Sequence, residues 1–228
     1  MTKPEITNIS NISPIIQDYL VLIYIIERDE DVVIGSKLGE FLGVTPPTVT
    51  NTLKRMTRDG LITMDTNGTH LTEVGWESAR VVMRRHMLME WMMAKTLPWS
   101  KLHAEAHNLE HAISELAENV LMEQLGNPDT CPHGNPLPGK EATAEQWVPL
   151  DAVEAGDTVI IRRIHEFAEE NMQLLDFLAE KNIKPGNLFH VKEVIPVNET
   201  VTLSSAVQDV TLGNVVARYI FVERIPGE

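Results

Sequence analysis

The sequence predicts a mainly α-helical chain with a small β-rich part. A winged helix-turn-helix comes first, then two long helices, a proline- and glycine-rich linker, and a small β-barrel with one helical insert. Three observations lead there. Apolar residues recur at helical spacing as far as Leu125. A short stretch alternating apolar and polar residues around Asn67-Gly68 interrupts them. From about residue 148 onward the chain turns to short β-branched runs.

The first helix is "PIIQDYLVLIYIIERDE", with Ser13 placed as N-cap, Pro14 in the first turn and the acidic "ERDED" at its end. "VVIGSKLGEFLGV" and "TPPTVTNTLKRMTRDG" read as two short helices joined by a tight turn at Gly43. Thr45 caps the second, and Pro46 and Pro47 lie in its first turn. "LITMDTNGTHLT" around Asn67-Gly68 is a hairpin signal, and the order helix, helix, turn, helix, hairpin is that of a winged helix-turn-helix. A methionine-rich helix spans Glu73 to about Leu97, and a second long helix runs from about Lys101 to Leu125, stopped by Gly126, Asn127 and Pro128. "NPDTCPHGNPLPGKEATAEQ" is the linker. "DTVIIRRI", "LFHVKEVI", "TVTLSS" and "VVARYIFVERI" read as strands around one helix, "EENMQLLDFLAEKN", ending at Pro185-Gly186. The domains expected are 1–75, 76–127, a linker 128–149, and 150–228.

A chain of 228 residues can bury a real core and form two or three small domains. No apolar run reaches the roughly 18 residues a membrane helix needs, and the N-terminus lacks the pattern of a secretory signal. The single cysteine, Cys131, excludes an internal disulfide framework and fits a reducing cytoplasm. A net charge of −14 argues against general adhesion to nucleic acid, so any DNA contact needs a local basic patch or bound cations. So many carboxylates also suit recruitment of divalent cations.

The nine residues "HAEAHNLEH" hold three histidines and two glutamates. On a helix, His103, His107 and Glu110 share a stripe and His111 sits beside it; one helix earlier, His86 and Glu90 share a face. Neutral imidazole and carboxylate are good ligands for divalent transition metals. Because four of the eight histidines fall between 86 and 111, each near a glutamate, a metal-binding reading outweighs that of an ordinary polar helix face. "HNLEH" also matches H-x-x-E-H, in which His107 and His111 would bind zinc and Glu110 would act as general base of a hydrolase. That reading leaves His86, Glu90 and His103 unexplained and gives the winged helix no task.

"TPPTVTNTLKRMTRDGL" has the chemistry of a DNA-recognition helix. Thr45, Thr48, Thr50 and Asn51 at its N-terminal end suit base edges, thymine methyls or phosphates, and the positive end of the helix dipole points the same way. Lys54, Arg55 and Arg58 suit phosphates, while Val49, Leu53 and Met56 face the core. Met83, Met87, Met89, Met92 and Met93 read as packing for core and dimer interface rather than as a copper or haem site. Cys131 reads as a packing residue and His133 as a turn stabiliser; His165 and His190 carry no assignment.

These segments together resemble one family, the diphtheria-toxin-repressor-like iron- or manganese-dependent regulators. The resemblance covers nearly the whole chain and rests on "DYLVLIY", "GVTPPTVTNTLKRMTRDGLI", "MRRHMLME", "LHAEAHNLEHAISE", "CPHGNPLPG" and the C-terminal β-domain. It implies a cytoplasmic homodimer, not an enzyme. Each subunit would hold a winged-helix domain, a helical metal-binding and dimerisation domain, and an SH3-like (FeoA-like) domain. The metal-loaded dimer would bind operator DNA and repress metal-uptake genes. It implies two metal sites per subunit, one from Asp18, His107, Glu110 and His111, the other from His86, Glu90 and His103 with Glu170 and Gln173 from the SH3-like domain. DNA contacts map onto Thr45, Pro47, Thr48, Thr50 and Asn51.

Two departures bear on the metal. Iron-sensing members often place methionine and cysteine where this chain has Asp18 and His107. Manganese sensors share the aspartate but carry glutamate at the positions of His107 and Val21. A site with two carboxylates and no sulfur favours Mn²⁺ over the alternative, Fe²⁺. The metal would bridge Asp18 of the DNA-binding domain to the dimerisation domain and so set the spacing of the two recognition helices. A DNA-binding dimer indifferent to metal is the remaining alternative. "PLPG" in the linker is expected to dock on the SH3-like domain in the unloaded protein.

Overall fold

The computed structural model describes residues 9–29 and 32–226. Residues 1–8, part of the N-terminal stretch read for a secretory signal, and Glu30 and Asp31 of the acidic "ERDED" lie outside the described residues. The chain forms two compact units, residues 1–85 with 110–112, and 86–109 with 113–228.

In the first unit, α1 (Pro14–Arg28) starts with Pro14 in its first turn and Ser13 extended at the N-cap. The Ser13 side chain makes no capping bond; its carbonyl instead accepts from the N–H groups of Ile16 and Gln17 at 2.9 and 3.0 Å. Tyr19, Leu20, Ile23, Tyr24 and Ile26 are buried along this helix, as its apolar spacing requires. Helix α2 (Gly35–Phe41) and α3 (Pro46–Arg58) follow, joined through Gly43 at φ +63°, a conformation glycine adopts without strain.

Strands β1 (Ile62–Asp65) and β2 (Gly68–Leu71) pair antiparallel with Asp65 opposite Gly68. The two-residue loop is therefore Thr66-Asn67, one position earlier than the Asn-Gly signal suggests. The Asp65 carboxylate sets it, accepting from the N–H groups of Asn67 and Gly68 at 2.6 and 3.1 Å. Gly68 begins the second strand at φ +141°, where a Cβ would stand 2.8 Å from the Val33 carbonyl. Glu27 ties α1 to this hairpin, meeting His70 Nδ1 at 3.0 Å and accepting from the Leu71 N–H at 3.1 Å.

Helix α4 (Glu73–Met93) begins in the first unit and continues into the second at His86. The single long helix expected from Lys101 to Leu125 is broken into three pieces. Helix α5 (Leu102–Leu109) tightens into a 3-10 turn, Glu110–Ala112, the chain extends at Ile113, and α6 (Glu115–Gln124) starts afresh. Ser114 is the cause, because its hydroxyl caps α6 by accepting from the Ala117 N–H at 3.2 Å.

The rest of the second unit is built on one antiparallel sheet in the order β3-β8-β4-β5-β6-β7. Its strands are β3 (Val148–Pro149), β4 (Thr158–Ile164), β5 (Leu188–Ile195), β6 (Thr200–Ser204), β7 (Asp209–Gly213) and β8 (Ile220–Ile225). Irregular register near Arg163 and near Glu193 bends it. Between β4 and β5 lie α7 (Glu166–Glu169) and α8 (Met172–Glu180). The side chain of Asn171 caps α8, and the helix closes at Lys181 and Asn182, the latter at φ +59°, before Pro185 is reached. Strand β7 has no counterpart among the expected runs, and the start of "VVARYIFVERI" is a helical turn, α9 (Asn214–Ala217), rather than strand. Ile161, Leu175, Leu178, Phe189 and Val201 belong to the shared core.

The linker is ordered where it carries "CPHGNPLPG". Cys131 N–H donates to the Asn135 carbonyl at 2.8 Å, and Leu137 is fully buried. Gly134, at φ +92°, lies so close to β4 that a Cβ would fall 1.9 Å from the Arg162 carbonyl. Glycine at this position is what lets the loop reach the sheet.

Candidate metal centres and DNA-reading helix

Helix α3 separates its two faces by the period of its sequence. Val49, Leu53 and Met56 are buried at 2, 3 and 0 % exposure, while Thr45, Pro47, Thr48, Thr50, Asn51, Lys54 and Arg55 are all exposed. Thr45 is the extended N-cap residue, yet its hydroxyl meets that of Thr48 at 3.0 Å instead of a backbone N–H. The Thr50 hydroxyl turns back to the Pro46 carbonyl. Arg55 and Arg58 share Asp59, at 3.7 and 3.0 Å. Exposed pairs of this kind are weak and leave both arginines able to turn to another anion.

The first candidate metal cluster lies at α1. His111, in the 3-10 turn, presents Nε2 to Asp18 Oδ1 at 3.0 Å and lies 3.5 Å from Glu110 Oε1. Its other nitrogen, Nδ1, lies 2.8 Å from Gln17 Oε1. Gln17 is itself fixed, since its Nε2 donates to the carbonyls of Ile12 and Ile9 at 2.7 and 3.3 Å. An amide held that way can only accept at Oε1. His111 therefore carries a proton on Nδ1, so Nε2, which faces Asp18, is the nitrogen left to bind a cation or, without one, to share a proton with the carboxylate. Glu110 is buried at 3 % exposure. His107 is exposed on α5, in the other unit, three residues before Glu110 in the chain. The H-x-x-E-H reading assumes one continuous helix, and the passage into a 3-10 turn at Glu110 removes that premise.

The second cluster is buried. His86 Nε2 stands 3.1 Å from His103 Nδ1 and 3.6 Å from Glu90 Oε1, and His103 Nδ1 meets Glu169 Oε2 at 2.8 Å. One donor atom from each of His86, Glu90, His103 and Glu169 lies within 4.8 Å of all the others. Among the acids of the C-terminal domain, Glu169 enters this set. Glu170, at the end of α7, approaches the opposite ring nitrogen, 3.3 Å from His103 Nε2, and Gln173 is exposed in the first turn of α8. The linker supplies groups that spacing along the chain does not announce. His133 Nδ1 lies 2.9 Å from Glu90 Oε1 and 3.6 Å from Glu169 Oε2, and Glu90, Cys131 and His133 form a further set within 4.8 Å. His133 is held by donation from Nε2 to the Trp99 carbonyl at 3.1 Å, under a tilted Trp99 ring. Asn135 donates to Glu169 Oε1 and accepts from Arg163 Nε, tying the loop to β4 and α7.

Charge and burial compete here. Burial alone would depress the His103 imidazole, but hydrogen bonds to Glu169 and Glu170 hold it well above its usual range. Burial opposes His133 too, and the charges of Glu169 and Glu90 raise it. Glu90 would be pushed up by complete burial; His133 and His86 instead hold it below the carboxylate range. The Cys131 thiol is pushed well up by burial, with Glu90 and Glu169 adding to the effect. Glu90 Oε2 is buried, and the Cys131 thiol, a weak donor, is hydrogen-bonded to this carboxylate. A poorly compensated buried carboxylate oxygen beside imidazoles and a thiol fits a divalent cation.

Three stretches match described families: residues 11–68 the iron dependent repressor N-terminal DNA binding domain, residues 72–139 the iron dependent repressor metal binding and dimerisation domain, and residues 148–224 the FeoA domain. The iron-dependent repressor IdeR of Mycobacterium leprae is 32% identical over 221 residues, covering 91% of this chain and 96% of its own. The diphtheria toxin repressor of Corynebacterium diphtheriae is 29% identical, with 91% and 96% covered. Among solved structures, a manganese-dependent transcriptional repressor in complex with manganese is similar at a TM-score of 0.80 and 29% identity, covering 92% of this chain and 100% of its own. ScaR with bound Zn²⁺ is similar at 0.78 and 25%, with 92% and 99% covered.

Proposed function

Because the chain belongs to the iron-dependent repressor family, whose members are metal-dependent DNA-binding transcriptional repressors and not enzymes, we propose that it represses metal-uptake genes as a homodimer in the cytoplasm, with Mn²⁺ as its physiological effector and Fe²⁺ as the alternative. Residues 1–75 read the operator, 76–127 bind metal and dimerise, 128–149 link, and 150–228 form the SH3-like domain. No helix among the described residues is long and apolar enough to cross a membrane.

The observation that carries this reading is His111, whose Nε2 is turned toward Asp18 by a buried glutamine facing Nδ1. A divalent cation held by Asp18, His107, Glu110 and His111 supplies two positive charges among carboxylates that otherwise repel. Asp18 belongs to α1, so fixing it to the metal-binding segment fixes a helix of the same unit that carries α3. In a dimer that constraint sets the distance between the two α3 helices, and Thr45, Pro47, Thr48, Thr50 and Asn51 can then meet successive major grooves with Lys54 and Arg55 on phosphate. The effector needs higher affinity for the DNA-competent arrangement, and operator must tighten metal binding by the same factor. His86, Glu90, His103 and Glu169 form the second site of each subunit; Glu170 caps it from the far side of His103. Met92, Leu109, Leu116 and Val120 are exposed on the helices of this segment and suit the dimer face.

The test is an anaerobic mobility shift on the chain's own promoter regions with Mn²⁺, Fe²⁺ or chelator. Metal should be required for the shift, and Asp18→Ala should dimerise yet bind operator only weakly whether or not metal is present. A shift indifferent to chelator, or full metal-dependent binding by Asp18→Ala, would overturn the proposal.

A further inference from the structure

We propose that the buried cluster holds not one cation but a carboxylate-bridged pair, so that each subunit binds three ions in all; this rests on reading the cluster as a metal site. Two donor sets meet there, His86, Glu90, His103 and Glu169 on one side and Glu90, Cys131 and His133 on the other. Each closes within 4.8 Å, close to the span between opposite donors of one ion with ligand bonds of roughly 2.0–2.3 Å. The six residues do not merge into one such set. His86 and His103 belong to the first, and Cys131 and His133 to the second.

Both carboxylates face both sides. Glu90 Oε1 is 3.6 Å from His86 Nε2 and 2.9 Å from His133 Nδ1. Glu169 Oε2 is 2.8 Å from His103 Nδ1 and 3.6 Å from His133 Nδ1. A carboxylate with an imidazole on either flank is placed to bridge. Sharing Glu90 gives one position two imidazoles and two carboxylates, and the other an imidazole, a sulfur and one carboxylate, with Glu169 Oε2 3.6 Å from that imidazole. The first position then has four protein donors, and the second has three with its fourth place left to water or to a shift of Glu169.

Glu90 Oε2 supplies the independent sign of a second ligand. It is fully buried, and what reaches the Glu90 carboxylate on this side is the weak hydrogen bond of the Cys131 thiol, which compensates a buried carboxylate oxygen poorly. The Cys131 thiol, also buried, is the neighbouring group in the second set. The loop that brings it is held in place from outside the cluster, by donation from Trp91 Nε1 to the Thr130 carbonyl at 2.7 Å and from Trp99 Nε1 to the Pro132 carbonyl at 3.0 Å. When the second ion enters, the S–H bond breaks, its electron pair stays on sulfur to form the S–metal bond, and the proton leaves to solvent; nothing is oxidised. Sulfur makes this position the softer of the two, suited to Fe²⁺, Co²⁺ or Zn²⁺ more than to Mn²⁺.

The experiment loads the full chain carrying Asp18→Ala and His111→Ala, which disables the site at α1, with Co²⁺ under anaerobic conditions. Bound cobalt is counted by mass spectrometry, the near-ultraviolet sulfur-to-cobalt band is recorded, and magnetic coupling is read by electron paramagnetic resonance. Two coupled ions per chain with a sulfur band are expected, and Cys131→Ser in the same background should retain one uncoupled ion and no band. One uncoupled ion in the parent overturns the pair while leaving a single second site standing. No ion at all overturns the second site and the pair together. The parent measurement needs no change within the cluster, so it decides between these outcomes even where the Cys131 variant folds poorly.

Discussion

Gln17→Leu should weaken Mn²⁺ binding at the α1 cluster by about 10–100-fold, roughly 1.4–2.7 kcal/mol, the usual cost of removing the outer partner of a metal-ligating histidine. The wild-type amide does two jobs. Its nitrogen donates to the carbonyls of Ile9 and Ile12, and its oxygen accepts from His111 Nδ1. Leucine fills a similar volume, frees the His111 ring to adopt either tautomer, and leaves the Ile12 carbonyl without its donor while the Ile9 carbonyl keeps the Ile12 N–H, which costs about 1–3 kcal/mol of stability. Gln17→Glu separates the two effects, keeping an oxygen toward His111 while losing the donors. It should lose stability as leucine does but hold Mn²⁺ within a few-fold of wild type. Calorimetric Mn²⁺ titration, the Mn²⁺ midpoint of operator binding and thermal unfolding of the metal-free chain measure all three. If folded Gln17→Leu titrates with the wild-type midpoint, Gln17 does not fix the ligating nitrogen.

Leu53→Ala should destabilise the chain by about 2–5 kcal/mol, whereas the exposed Thr48→Ala should leave unfolding within about 0.5 kcal/mol of wild type and weaken operator binding instead; paired melting and binding curves distinguish them. Lys54→Ala should weaken binding to all sequences alike and reduce the slope of log affinity against log salt by about 1. For the metal-free chain, the raised His103 and His133 contribute stability that is complete below their ordinary value of 6.5 and is lost as pH climbs through their folded values. Glu90 and Glu170 are lowered, so their contribution is present above 4.5 and fades as pH falls through their folded values. Melting temperature should therefore decline on both the alkaline and the acidic side, and a profile flat from about pH 6 to 9 contradicts the histidine assignment. Gly134→Ala must displace the linker loop from the Arg162 carbonyl, and should lower both melting temperature and metal retention at the buried cluster, read by equilibrium dialysis.

The regular elements were legible because periodicity reports burial directly. Val49, Leu53 and Met56 fall on one stripe of α3, and the exposed threonines and basic residues on the other. The division of residues 101–125 was also written in the chain, as Ser114 followed by Glu115 and Glu118, a capping signal outweighed by the continuous run of helix formers around it. The makeup of the buried cluster was less accessible. Glu169 and Glu170 are neighbours at the end of a four-residue helix too short to show a period, and one position decides which of them turns inward. His133 reaches Glu90 across 43 residues, from a loop whose path depends on one glycine against β4. Spacing along the chain cannot express a meeting of that range. Gln17 hid for a different reason, since a polar residue in an apolar helix carries no mark of the partner it will meet.

Two of the four tryptophans, Trp91 and Trp99, grip the loop that carries Cys131 and His133, and the Trp99 ring lies 4.6 Å from the His133 ring. The molecule thereby carries its own optical gauge. A paramagnetic ion arriving at His133 must quench indole emission, so cofactor occupancy can be followed in native, unlabelled protein while operator is added or withdrawn.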